Sequence, residues 1–369
     1  MLIRLIVARR STRAFSSRGI PGTDLDAIQA AASAMPTVHG MRSGRAFLVK
    51  DPLRAHGLVD ALLTGIAGKA NLWIGRGERP PAFVVCAGDP DRSPVRDGRH
   101  LYNVDAAMAG EAAVLAAASA GVDSVWLAAI GEREVCSYLG LVGERVNALI
   151  ALGYSRRGGI YDALSQSVIS GRRRPLAEMA HEGRFGIPLD VAPPDPVRRR
   201  DAIELYGRCA GRVPVTLPPP CPAFGGQPTV EEMRLVLEAA RWAPNADNAQ
   251  IWRWIVVRDP AGRAAALDAA GVPGASGSGD FLLVAGCAAP ALIKHRTREQ
   301  PFALIDLSIA SVHAMAMAAA LGHGWNMLVD FDYGRAGREL AVPAGHRLVV
   351  LLMLGRPAAG HHPPWQQMR

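Results

Sequence analysis

The chain repeats itself once. Thr23, Pro36, Asp105, Gly121 and the pair Leu152-Gly153 recur in the same order as Thr229, Pro244, Asp306, Gly322 and Leu354-Gly355, at an offset of about two hundred residues. A period that is a whole domain excludes solenoids, whose units run to roughly 20–50 residues. It requires two copies of one unit. The proline-rich stretch Asp190–Asp201 is the candidate linker between them, which gives domains at 1–195 and 196–369.

Within the first copy, Thr23 with Asp26 opens a predicted helix that reaches Met35, where Pro36 breaks it. A helix over Leu53–Ile66, a buried strand over Ala82–Ala87 and a long alanine-rich helix beginning at Asp105 and stopping at Gly121 follow. Ser124–Ala129 and Val146–Tyr154 read as further strands. In the second copy, Thr229 and Glu232 form a capping-box signature for a helix that Pro244 ends. The glycine run Gly271–Gly279 has no phosphate-loop lysine and reads as a mobile lid or linker.

Composition narrows the class. A chain of 369 residues, 49% hydrophobic, is long enough for two full cores. The formal charge of +8 rests on arginine, since Lys50, Lys69 and Lys294 are the only lysines. Those arginines are scattered and aromatics make up 6% of residues, so the basic, aromatic-interleaved face of a nucleic-acid binder is not visible. The five cysteines, Cys86, Cys136, Cys209, Cys221 and Cys287, are widely spaced and form no C-x-x-C pair, which argues for a reducing compartment. The N-terminal apolar run meets Arg9 too soon for a signal peptide, and no run is read as reaching bilayer length, so a cytoplasmic protein is expected. No G-x-G-x-x-G follows a strand, and a Rossmann domain is not expected.

Two stretches carry chemistry. Between Arg241 and Val257 a helix breaks at Pro244 and runs through Asn245, Ala246, Asp247, Asn248 and Gln250 before an apolar strand. Such a loop places donors and acceptors where they can read the polar edge of a heterocycle. On polarity alone an Asx-rich turn is the better reading. Near the N-terminus, Arg9, Ser11 and Arg13 alternate, so an extended segment would turn two guanidinium forks and a hydroxyl toward one anion. A solvated basic helix end accounts for the same residues equally well.

The spacing Pro244, Asn245, Ala246, Asn248, Gln250, Trp252 resembles the Pro-Ser-x-x-Asn-x-Gln-Pro-Trp segment of the FMN-dependent nitroreductase family, with Asn245 in place of the serine and Ile251 in place of the second proline. Arg9, Arg10, Ser11 and Arg13 resemble that family's Arg-x-Ser-x-Arg/Lys phosphate segment, and Arg172, Arg173 and Arg174 its basic tail. The turn at Gly131 matches the family position whose backbone N–H groups lie near the flavin N5 and O2. The loop Pro36–Val49, with His39 beside the expected cofactor edge, is similar to the azoline-dehydrogenase branch.

The resemblance implies an α+β fold of two tandem nitroreductase-like domains. Each is expected to be a mixed sheet flanked by helices, and the two to pack as an intramolecular pseudo-dimer. Family members place two FMN sites between subunits, each with its phosphate on one subunit and its ring loop on the other. Here the first half keeps the phosphate segment and the second keeps the ring loop, while Ala210 stands where Ser11 has its counterpart. One FMN per chain is therefore expected, with hydride passing to or from flavin N5 and NAD(P)H as a candidate reductant. The expected partner is a small organic molecule, with no nucleic acid and no membrane, and the pseudo-dimer is expected to be monomeric. An azoline-type dehydrogenase and a flavin-sequestering protein without catalysis are the competing readings.

Overall fold

The computed structural model describes residues 2–156, 173–190, 217–289 and 301–359. The first part contains helices α1 (Leu2–Ala8), α2 (Gly22–Ser33), α3 (Pro52–Leu62), the single turn α4 (Gly65–Gly68), α5 (Tyr102–Ser119) and α6 (Glu132–Leu139). Its strands are β1 (Gly44–Val49), β2 (Ala82–Gly88), the short hairpin β3 (Val95–Arg96) and β4 (Arg99–His100), β5 (Asp123–Leu127) and β6 (Arg145–Gly153). After it come β7 (Ala180–Glu182), β8 (Phe224–Gly226), α7 (Val230–Arg241), β9 (Trp252–Val257), α8 (Pro260–Ala269), β10 (Gly279–Asp280) and β11 (Leu282–Ala288). Helices α9 (Phe302–Ala320) and α10 (Tyr333–Glu339) and strands β12 (Gly324–Leu328) and β13 (Arg347–Pro357) complete it.

The repeat in sequence is a repeat in topology. The first sheet runs β1-β2-β6-β5, and the second holds the same order as β9-β11-β13-β12, all of these pairs antiparallel. Only the second sheet is mixed, because β7 joins β9 in parallel and β10 joins β8 in parallel. The expectation of a mixed sheet in both halves is thus corrected: among the described residues the first sheet is wholly antiparallel. Strand β7 follows the first copy in the chain yet lies on the second copy's sheet, with Trp254 N donating to Met179 O at 2.7 Å.

Helices lie on both faces of each sheet. One continuous apolar cluster fills the space between the sheets and draws on α1, α2, α5, α7 and α9 together, while separate clusters cover the outer faces. Helices α5 and α9 are buried nearly all round, the only stable place for a helix apolar on every side. Alanines such as Ala106, Ala109, Ala113 and Ala117 let α5 approach its neighbours closely. At Gly110 a Cβ would stand 2.5 Å from Cys86 Sγ on the sheet, so only glycine fits there.

A polar pin crosses this core. His313 on α9 places Nε2 2.7 Å from Glu111 Oε1 on α5, both side chains 0% exposed, and Nδ1 3.2 Å from the Ala239 carbonyl. Trp126 Nε1 donates to the other Glu111 oxygen at 2.8 Å. A carbonyl can only accept, so Nδ1 carries a proton, and Nε2 and the carboxyl share another between them.

Several local expectations change. The helix over 22–33 is entered from Pro21 without a side-chain cap, so Thr23 and Asp26 lie within it. The second-copy capping box forms as expected, with Thr229 N donating to Glu232 Oε2 at 2.8 Å and Glu232 N to Thr229 Oγ1 at 3.2 Å. Asp105 lies inside the first turn of α5, which begins at Tyr102. The run Gly271–Gly279 forms a short 3-10 turn over Pro273–Ser278 and then pairs with β8. A segment of bilayer length does exist: Phe302–Ala320 has mean hydropathy 1.7, but it is the core helix α9, 89% buried. The described cysteines Cys86, Cys136, Cys221 and Cys287 are free thiols. The linker beyond Asp190, Cys209, and the second-copy segment with Arg208, Ala210 and Arg212 lie outside the described residues.

Candidate functional site

The loop after α7 is built on left-handed backbone. Asp247, Asn248 and Gln250 have φ of 53°, 51° and 48°. Asn and Asp tolerate that region better than other side chains, so the amide-rich composition has a conformational cause. The first copy repeats the shape at His39, Gly40 and Arg42, with φ of 52°, 68° and 52°. Two loops of different composition therefore share one backbone path.

Each loop hangs from a buried aspartate at the start of a core helix. Ala246 N donates to both Asp306 oxygens at 3.3 Å, and Val38 N donates to Asp105 Oδ1 at 2.8 Å. Ser43 Oγ and Gly44 N complete the Asp105 set at 3.2 and 3.3 Å. Burial pushes both carboxyls up: Asp306 to about 8, with Asp247 adding repulsion against the lowering effect of the Ala246 N–H, and Asp105 to about 6 despite its three donors.

The loop side chains largely hold the loop itself. Asn245 Oδ1 accepts from Gln250 N at 2.9 Å, and Asn245 Nδ2 donates to Ala243 O at 3.2 Å. Gln250, only 3% exposed, donates from Nε2 to Asn248 O at 3.2 Å and accepts the Arg174 N–H at 2.8 Å. Its carboxamide thus ties the loop to the arm that carries β7, a job that polarity in the sequence did not indicate. Pro244 is buried, Asp247 is exposed and Asn248 is half-buried.

The N-terminal basic segment reaches this loop through Trp242. Val7 and Ala8, immediately before Arg9, pack against that indole, whose Nε1 donates to Glu238 Oε1 at 2.8 Å. From the other side Arg173 donates to Trp242 O at 3.1 Å and places its guanidinium 5.8 Å from the ring centroid. Arg241 bridges the two, donating to Arg174 O at 3.1 Å and to Glu238 Oε2 at 2.7 Å. The structure therefore brings the residues before Arg9, the Arg173–Arg174 arm and the Pro244 loop to one place, although they come from distant parts of the chain. Arg172 lies outside the described residues.

Beyond Arg9 the segment runs beside β5, with Ser11 bridged to Ser124 and Thr12 N donating to Ser124 O at 3.0 Å. Arg10 donates to Ser155 Oγ at 2.9 Å, and the Arg13 guanidinium lies 5.9 Å from the Trp73 ring centroid. Gly131 caps α6 and donates to Leu62 O at 3.0 Å. A Cβ there would meet Thr64 O at 2.8 Å, so the protein's own backbone already demands the glycine.

Glu238 pairs with Arg241 and Ser11 lies against β5, and guanidinium forks with a hydroxyl are the donor types that suit a phosphate monoester. Asp306, readable in the sequence only as half of a repeated pair, holds the loop, and Trp242 and Arg241, which sequence reasoning did not single out, shape the region beside it. The one available signal was the aromatic at the end of α7, directly before the proline break.

The fold is α+β, with core helices packed between two sheets whose main strands share one order. The family model for the nitroreductase family matches residues 6–154 and 226–274, more than half of the chain. The chain belongs to the nitroreductase family. Among solved structures it is similar to a nitroreductase family protein from Clostridium difficile 630, at 19% identity over 48% of this chain and 94% of the other, TM-score 0.39. It is also similar to an FMN-dependent nitroreductase from Clostridium difficile R20291, at 21% identity over 42% and 89%, TM-score 0.36. A nitroreductase with bound FMN from Bacteroides fragilis NCTC 9343 matches at 26% identity over 43% and 90%, TM-score 0.35. No curated protein matches the chain.

Proposed function

We propose that the chain is a tandem FMN-dependent oxidoreductase, a fused pseudo-dimer with halves at 1–195 and 196–369, that binds one FMN and acts on a small organic substrate in the cytoplasm. The observation that carries this reading is the meeting at Trp242 of the segment before Arg9, the Arg173–Arg174 arm and the Pro244 loop. Arg9, Arg10, Ser11, Arg13 and Arg172–Arg174 would hold the phosphate. The turn at Gly131 and the loop from Pro244 through Asn245, Ala246 and Asn248 to Gln250 would frame the ring. Bound there, FMN supplies a centre for hydride transfer to or from a substrate or NAD(P)H. The chain's own residues orient and enclose it: Asp306 and Gln250 hold the loop in its left-handed path, and Trp242 keeps the basic segment against that loop.

The purified chain is expected to be yellow, with a flavin-to-protein ratio of one. Arg9→Ala is expected to weaken FMN by about ten- to hundredfold, since a charge-assisted contact contributes ~1.5–3 kcal/mol. Titration of the stripped protein by flavin fluorescence measures it, and a colourless chain that ignores added FMN removes the reading. Anaerobic addition of NADPH separates a reductase, whose flavin bleaches, from a sequestering protein, whose flavin does not. An azoline-type dehydrogenase is the second reading, favoured by the composition of the Pro36–Gly44 loop.

A further inference from the structure

The two copies relate two clefts, each between the left-handed loop of one copy and the turn after the fourth strand of the other. The candidate FMN site pairs the Asp247–Asn248 loop with the turn that follows β5, through Ala128, Ala129 and Ile130 to Gly131. Its counterpart pairs the His39–Gly40 loop with the turn that follows β12, through Val329, Asp330 and Phe331 to Asp332. The shared two-hundred-residue offset, with Gly131 and Asp332 both standing before the helix that follows, puts Asp330 where the first cleft has Ala129.

This second cleft is bridged. His39 Nε2 lies 2.8 Å from Asp330 Oδ2, across 291 residues of chain. Arg96, on the β3–β4 hairpin, donates from Nε to Asp330 Oδ1 at 2.6 Å, and its Nη2 reaches the same oxygen. Loop, hairpin and turn thus converge on one carboxylate. Burial alone would raise that carboxyl, but His39 and Arg96 hold it below the ordinary aspartate range. A loop and a turn joined by side chains in hydrogen-bond contact leave no slot between them for a flat ring, which needs carbon contacts of about 3.5–4.0 Å on each face.

We infer that His39, Asp330 and Arg96 form an ionic latch that closes the pseudo-symmetric cleft to FMN, with Asp330 as the carboxylate on which the loop, the hairpin and the turn converge. The inference rests on the oxidoreductase reading. It adds a physical cause for one flavin per chain that is separate from the altered phosphate segment at Ala210.

The test is FMN titration of the full chain, followed by flavin absorbance and by the ratio retained on equilibrium dialysis. Wild type is expected to saturate at one FMN. Asp330→Ala, which installs the residue found at the matching position of the first turn, is expected to take up a second, weaker equivalent and raise the ratio toward two. His39→Gly is the companion variant, because it leaves the Asp330 turn intact and suits the left-handed φ of 52°. Circular dichroism identifies the folded variants. If every folded variant still saturates at one, or if wild type already binds two, the latch is not what closes the cleft, while the oxidoreductase reading stands. A wild type that binds no FMN removes both.

Discussion

His313→Leu is expected to destabilise the folded chain by about 3–5 kcal/mol, because it leaves the Glu111 carboxyl buried with only Trp126 as a partner. The effect is large because both side chains are fully buried and solvent cannot take the place of the lost partner. The double variant Glu111→Leu/His313→Leu should recover most of the loss. The residue left over is the Trp126 N–H without its acceptor, about 1–3 kcal/mol. Urea unfolding of the four proteins closes the cycle. A single variant within about 1 kcal/mol of wild type would mean that the pair behaves like a surface ion pair, and that the core between the copies does not depend on it. Since α5 and α9 come from different copies, loss of the pin is also expected to loosen FMN, which would lie between them.

The second large effect concerns Asp306. Its carboxyl, pushed up to about 8 by burial, keeps its proton in the folded chain over a range where the unfolded chain has lost it. The folded state therefore binds more protons than the unfolded state between about pH 4 and pH 8, and stability falls as pH rises through that window. Each unit of separation is worth about 1.4 kcal/mol, so the total is on the order of several kcal/mol. Asp105, pushed up to about 6, adds a smaller loss of the same sign that is complete by about pH 6. Asp306→Asn keeps an oxygen for the Ala246 N–H and cannot ionise. Relative to wild type it is expected to gain stability steadily from pH 5 to pH 8.5. Melting temperatures at matched pH measure this, and parallel profiles for the two proteins would refute it.

Much of the frame was legible from residues alone. The period of the repeat anticipated two sheets of the same strand order, and the apolar runs of β2 and β6 and the alanine face of α5 were readable because burial leaves its mark on composition. Thr229 with Glu232 was legible because a cap and its partner are three residues apart. Thr23 misled, since its helix starts from Pro21 and needs no side-chain cap. Asp105 and Asp306 were recognisable as a repeated pair, but their task was not, because each grips a loop about sixty residues upstream. Gln250 looked like a reader of a ligand edge; that its carboxamide accepts the Arg174 N–H was not legible, because this partner arrives only where β7 crosses to the other copy's sheet.

The opening repeat by itself implied two similar units, and the residues implied which positions line a core and where the loops break, because all of these are set by local backbone preference and by burial. Which piece of one copy meets which piece of the other was decided by tertiary structure. The meeting at Trp242, the Glu111–His313 pin and the His39–Asp330–Arg96 latch each join residues on opposite sides of one packed core. Contacts of that kind depend on how two sheets and the helices between them fit together in space, and no periodicity along the chain records that fit.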